Sequence, residues 1–201
     1  MDLIEKTLVD YINEVDSLKS APGGGSVAAL VGALGVSLAK MLGHFTMNKK
    51  VFKNAEKRSQ NQFLIAFDTL NHYKDLLIKG VDDDAISYNA VVEALKTKDD
   101  EKIQKAINYS TFVAFEMQQS AYNALICASR LIKLGNKYLY SDLISSAILL
   151  HSSNEMASLN VKANAKMLND EKTKNNYISE SDALVASSLK LKKKMLKLLN
   201  N

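Results

Sequence analysis

The sequence predicts an all-α fold, and three observations carry that expectation. One proline stands among 201 residues, far below the usual share of roughly 5%. Three of the eight glycines sit together at Gly23-Gly24-Gly25 instead of marking many separate turns. Apolar residues recur every three or four positions through most of the chain, and no convincing alternating stretch interrupts them. The length suits a single domain over residues 1–201, long enough to bury a sizeable core. With 47% apolar and 24% charged residues, a disordered chain is excluded.

Taken in order, Leu3, Ile4, Leu8, Tyr11, Ile12, Val15 and Leu18 follow helical spacing, so residues 2–19 are predicted as an amphipathic helix. Ser20-Ala21-Pro22-Gly23-Gly24-Gly25 breaks it, and Ser26 is a natural N-cap for a second helix to about Thr46. That second helix carries rows of small residues at i+4 spacing: Ala28 and Gly32; Ala29, Ala33 and Ser37; Gly35, Ala39 and Gly43. A glycine inside a helix costs roughly 1 kcal/mol against alanine, which a closely approaching backbone can offset. The uninterrupted apolar run covers only 27–39 before Lys40 and His44, short of the ~20 residues a membrane span needs.

A third helix is expected over 51–79 with Gly80 as its C′ cap, then a fourth over 83–96 opened by Asp82-Asp83-Asp84. Residues 101–133 form a fifth, and Ser141-Asp142 cap a sixth running to about 168. A seventh fills 180–199. The expectation is one bundle of about seven helices, joined by short connections. Several are long for a compact monomer, so an antiparallel homodimer that buries the small-residue faces is the natural outcome.

The formal charge of +4 depends on five lysines in 190–197, without which 21 basic residues face 22 acidic ones. That is one helical stripe and not a basic domain, so no nucleic-acid partner is expected. A single cysteine, Cys127, excludes a disulfide framework and a multi-cysteine metal cluster, in keeping with a cytoplasmic protein. The acidic start, MDLIEKTLVDYINEV, lacks the basic region of a secretory signal. His44, His72 and His151 show no metal-ligand spacing and are expected to stand apart from acidic partners.

Gly23-Gly24-Gly25-Ser26-Val27-Ala28 satisfies the letters of a dinucleotide fingerprint, but a helix precedes it and no acid follows about 20 residues on. A glycine triplet opening a helix still presents backbone N–H groups with no side chains in the way, suited to an anion or a heterocycle edge. A tight interhelical turn explains it as well. Asp84 and Asp142 stand at expected helix starts, where capping alone accounts for them. Asn160 and Asn164 share one helix face, and asparagine is a poor interior helix former, so the pair suggests amides placed for hydrogen bonding.

The segment Ala21-Pro22-Gly23-Gly24-Gly25-Ser26-Val27-Ala28-Ala29-Leu30-Val31-Gly32-Ala33-Leu34-Gly35 closely resembles the N-terminal signature of the cyclodeaminase/cyclohydrolase family. Phe45 to Lys50, Asp84 to Val91, Gly135-Asn136 through Ser141-Asp142-Leu143, and Asn160-Val161-Lys162-Ala163-Asn164 resemble its later motifs in the same order. Departures include Ser87 for the usual alanine, Asn48 for glycine, and the bulky Lys137-Tyr138-Leu139-Tyr140.

The resemblance implies an all-helical homodimer acting on one-carbon derivatives of tetrahydrofolate. Its reaction would be cyclodeamination of 5-formiminotetrahydrofolate, or cyclohydrolysis of 5,10-methenyltetrahydrofolate, with no metal or other cofactor. It implies Asp84 as the proton-carrying carboxylate and Asp142 as the partner of the 2-amino-pyrimidinone edge. Gly23, Gly24, Gly25, Ser26, Asn136, Asn160 and Asn164 would line the folate site. The departures favour one alternative, a folate-binding helical adaptor without turnover.

Overall fold

A computed structural model describes residues 2–197, and every regular element among them is helical. The helices are α1 (Leu8–Val15), α2 (Gly24–Met47), α3 (Lys50–Lys53), α4 (Lys57–Thr97), α5 (Asp100–Arg130), α6 (Tyr140–Ala165) and α7 (Glu171–Leu196). Two 3₁₀ turns, Leu3–Glu5 and Lys137–Leu139, complete them. Helix α2 packs against α4 and α6, α5 closes the ring by packing on both, and α7 lies over α5 and α6.

The all-helical expectation holds, while several boundaries move for local reasons. Residues 2–19 are not one helix, because Thr7 takes an extended backbone and accepts the Asp10 N–H at 3.1 Å, starting α1 afresh. Helix α2 begins at Gly24 with Gly23 as its N-cap, so Ser26 lies inside the first turn and does not cap it. Helix α7 starts at Glu171, where Asp170 accepts the Lys172 and Thr173 N–H groups, nine residues before the expected start. The expected end at 199 lies outside the described residues. Ser141 and Asp142 sit within the first turn of α6, since Asn136 caps the preceding 3₁₀ turn and that turn runs straight into the helix.

The largest correction concerns Gly80. The two helices expected on either side of it are one helix of 41 residues. Gly80 is buried mid-helix, where an added Cβ would lie 2.9 Å from the Met117 side chain and 3.3 Å from Ala29 Cβ. It therefore serves the crossing of α4 with α2 and α5, and terminates nothing. Asp84 in turn belongs to the middle of a helix.

The small-residue faces of α2 are largely covered within the chain. At Gly32 the neighbours are Ser153 and Leu77, and at Gly35 they are Leu149 and Leu150. Ser153 Oγ donates to the Ala28 carbonyl at 2.7 Å, which draws α6 onto α2. Helix α2 is long and apolar enough by composition to cross a membrane, and most of it is buried inside the protein. Val36, Leu42, Phe63, Leu70, Leu77, Leu125 and Leu150 fill the main core.

Helices α6 and α7 join through buried polar groups. Ser181 Oγ donates to Ser158 Oγ at 2.8 Å, and His151 Nδ1 shares a 2.7 Å hydrogen bond with Ser188 Oγ. His151 does not stand apart from acids: Glu155, one turn on, brings a carboxylate oxygen to 3.4 Å of Nε2. Burial nevertheless pushes the His151 imidazole below its ordinary pKa. Cys127 is a buried free thiol in the core.

Candidate functional site

The first three N–H groups of a helix have no acceptor within it. In α2 those are Gly24, Gly25 and Ser26, since the first intrahelical bond runs from the Val27 N–H to the Gly23 carbonyl at 3.1 Å. The N-cap, Gly23, has no side chain to cap this turn. The Ser26 N–H instead donates at 2.9 Å to Oδ2 of Asp84, which α4 brings across. The dipole that Asp84 meets is thus that of α2, not of its own helix.

The carboxylate fits only because residue 25 has no side chain. A Cβ on Gly25 would lie 2.8 Å from Asp84 Oδ2 and closer still to Oδ1. Contact this close removes water from the carboxyl group. Burial pushes the Asp84 carboxyl above the ordinary carboxylate range, and the Ser26 N–H pulls it part of the way back. The outcome is a carboxyl group able to hold or release a proton nearer neutrality than an exposed aspartate.

Two of the expected amides border this place. Asn160 Nδ2 lies 4.0 Å from where a Cβ on Gly24 would stand, and it donates to the Met156 carbonyl of its own helix at 3.2 Å. Asn164 Nδ2 donates to Ser110 Oγ at 3.1 Å, and Ser87 Oγ approaches the same hydroxyl at 3.4 Å. Ser87 also donates to the Asp84 carbonyl at 3.0 Å. A line of side chains from α6, α5 and α4 thus ends on the backbone of Asp84. Ser87, a departure from the family pattern, is the fully buried link in that line.

Helical spacing places Tyr11 in an apolar stripe, and its hydroxyl reaches the site. It shares a 2.9 Å hydrogen bond with Ser26 Oγ. Burial raises the Tyr11 phenol, the Ser26 bond opposes this, and the charges of Asp84 and Asp82 raise it further. Asp82 accepts the Leu3 N–H, so the N-terminal segment is fastened on both sides of Asp84. The signal was a tyrosine where the stripe otherwise holds aliphatic residues.

Asn136 and Asp142 are elsewhere within the chain. The Asn136 N–H donates at 2.9 Å to Thr46 Oγ1, near the C-terminal end of α2. At 1.5 Å per residue that end lies about 33 Å from Gly24. The Asn136 side chain accepts the Tyr138 N–H at 3.3 Å, and Asp142 is half-buried with no side-chain hydrogen bond among the described residues. A concavity of about 650 Å³ lies toward this end, between α4, α5 and α7, with Arg130, Lys133 and Lys194 in its wall. Among the described residues no three His, Cys, Asp or Glu side chains gather at metal-binding range.

A half-buried carboxyl group set against a glycine-opened helix, inside an all-α bundle, defines a helical protein with a partly desolvated acid at a helix crossing. Comparison with known proteins specifies it further. The family model described as formiminotransferase-cyclodeaminase matches residues 7–183, and the chain belongs to that family. It is 28% identical to formimidoyltransferase-cyclodeaminase of Mus musculus over 84% of this chain, spanning 32% of the mouse protein. It is 27% identical to methenyltetrahydrofolate cyclohydrolase of Methylorubrum extorquens over 91% of this chain and 90% of that protein. The fold is shared with the crystal structure of formiminotetrahydrofolate cyclodeaminase from Thermotoga maritima, at a TM-score of 0.86, 24% identity and 98% coverage of both chains. The chain thus spans about a third of the mouse relative and nearly all of the stand-alone bacterial one.

Proposed function

We propose that the chain is a cytoplasmic enzyme of tetrahydrofolate one-carbon chemistry, acting as a formimidoyltetrahydrofolate cyclodeaminase or a methenyltetrahydrofolate cyclohydrolase. The observation that carries this reading is Asp84, a carboxyl group desolvated against the start of α2 in a chain of this family. In cyclodeamination N10 attacks the formimino carbon, N10 loses its proton, and the amine leaves as ammonia once it gains one. In cyclohydrolysis water adds to the methenyl carbon and gives up a proton as the ring bond to N5 breaks. Both routes pass through a tetrahedral carbon between N5 and N10, and in both a proton must leave the attacking group and another reach the departing nitrogen.

Asp84 is suited to both needs. Ionised, it stabilises the cationic amidinium; protonated, it supplies the leaving amine or N5. Its raised pKa brings the two forms closer together in population at neutral pH. Gly23 to Ser26, with Asn160 and Asn164, supply neutral donors and acceptors around the folate. No metal or other cofactor takes part in this reading.

Asp142 and Asn136 stand too far from Asp84 to touch the same ligand within one chain. A homodimer in which one protomer's Asp142 end meets its partner's Asp84 end would unite them. Apolar side chains left exposed along α2 and α6, including Leu34, Phe45, Ile148 and Leu159, support such an association. Asp142 would then pair with the pyrimidinone edge through two donors and two oxygens.

The test is to follow methenyl near-ultraviolet absorbance with purified protein and each substrate in turn. A rise with 5-formiminotetrahydrofolate identifies the deaminase, and accelerated loss with 5,10-methenyltetrahydrofolate identifies the hydrolase. Folate binding with neither change would favour the adaptor alternative. Light scattering gives the oligomer, and mixing Asp84→Asn with Asp142→Asn protein should restore turnover at low substrate concentration if sites are shared between protomers.

A further inference from the structure

We propose that Tyr11 is a positioning residue for this reaction: its phenol tethers Ser26, and through the Ser26 N–H it fixes the direction in which Asp84 presents its carboxylate. The inference rests on the reading of Asp84 as the proton carrier.

Helix α1 has eight residues and buries one of them, Tyr11. Leu8, Val9 and Ile12 remain 72%, 67% and 63% exposed, so the helix is not held by its apolar area. If anchoring were the only task, a phenylalanine would serve without taking a hydroxyl out of water. What the tyrosine adds is an O–H at 2.9 Å from Ser26 Oγ, with both residues buried.

The turn that Ser26 belongs to needs such a tether. Gly23, Gly24 and Gly25 precede it, and a glycine run restricts its own backbone least of all sequences. The Ser26 N–H has no acceptor in its helix, and within α2 only the Val27 N–H to Gly23 carbonyl bond closes the turn around it. Gly25 cannot be stiffened by a side chain, because Asp84 fills that space. Further restraint comes from outside α2, and Tyr11 supplies it at the Ser26 hydroxyl. The titratable neighbours of the phenol are Asp82 and Asp84, both on α4; with burial they keep it protonated.

The test compares wild type with Tyr11→Phe, Ser26→Ala and the double variant in two readouts. The first is the titration of Asp84, followed by infrared spectroscopy and assigned by its absence in Asp84→Asn, and it needs no substrate. Phenylalanine keeps the ring buried and removes only the tether, so the Ser26 N–H bond loosens. The carboxyl group then binds its proton more tightly, on the order of three-fold. An unchanged or weakened proton affinity overturns the proposal.

The second readout is steady-state kinetics. Tyr11→Phe should lower kcat on the order of ten-fold with KM nearly constant, and the double variant should be no worse than the more impaired single one. A wild-type kcat in Tyr11→Phe, or losses that multiply in the double variant, overturns the tether while the enzyme reading stands. Absence of turnover by the wild-type protein itself overturns the enzyme reading, and the titration still decides whether Tyr11 orients Asp84.

Discussion

The two ends of α2 face similar problems and solve them differently. At its N-terminal end a free N–H is met by a carboxylate from another helix, and that carboxylate is desolvated by the contact. At its C-terminal end Thr46 is neutral, donating to the Leu42 carbonyl at 2.7 Å and accepting the Asn136 N–H at 2.9 Å. One end concentrates a titratable group where water is scarce, and the other joins a loop with ordinary hydrogen bonds. The difference separates a partly desolvated, titratable contact from a neutral one that joins a loop to the helix. Both kinds carried family motifs of equal clarity in the sequence.

Asp84→Asn should break the contrast most severely. Asparagine still accepts the Ser26 N–H but carries no proton, so kcat should fall roughly 10² to 10⁴-fold with folate affinity retained, as read by turnover and by titration calorimetry. Gly25→Ala comes next. Its methyl group competes with the carboxylate for one space, so turnover should drop on the order of 10²-fold and Tm should fall by several degrees, measured by assay and by thermal melting. Full activity in either variant would remove Asp84 from the chemistry.

Much of this was legible in advance. The glycine turn, the long helices and the row of Asn160 and Asn164 follow from spacing and motif, whereas Asp84, expected at a helix start, lies inside α4 because the helix runs on through Gly80. Two things did not. Gly80 looks like a helix end because a lone glycine after a periodic run commonly is one, and only the crossing of Met117 and Ala29 against it reveals another use. Tyr11 fits helical periodicity as an apolar residue, and its hydroxyl acquires meaning only when α1 folds back over Ser26. In both cases the deciding neighbour lies on a different helix, and single-helix patterns hold no record of it. The distance between Asn136 or Asp142 and Asp84 was hidden for the same reason, since motif order says nothing of which end of a helix a loop returns to.

Smaller effects sharpen the comparison. If Asp142 pairs with the folate as proposed, Asp142→Asn should raise KM several-fold with kcat little changed, because that contact serves binding and not the moving proton. Thr46→Ala leaves the Asn136 N–H without its partner, at about 1–3 kcal/mol, so Tm should fall by a few degrees. The smallest effect is in pH dependence. The folded protein holds the Asp84 proton more tightly than the unfolded chain, so stability from this group is present at low pH and declines as pH rises through the raised pKa. Asp84→Asn should therefore melt like wild type in acid and roughly 1–3 °C higher near neutral pH. A melting difference of the opposite sign would mean that the Ser26 N–H outweighs burial.

The shared space between Gly25 and Asp84 also bears on inheritance. Two positions far apart in sequence occupy what would ordinarily be one side chain's volume, so neither can change freely while the other stays. In a large set of related sequences, a residue larger than glycine at the position of Gly25 should coincide with loss of aspartate at the position of Asp84. Such a pairing would mark the lineages in which this chemistry has been abandoned.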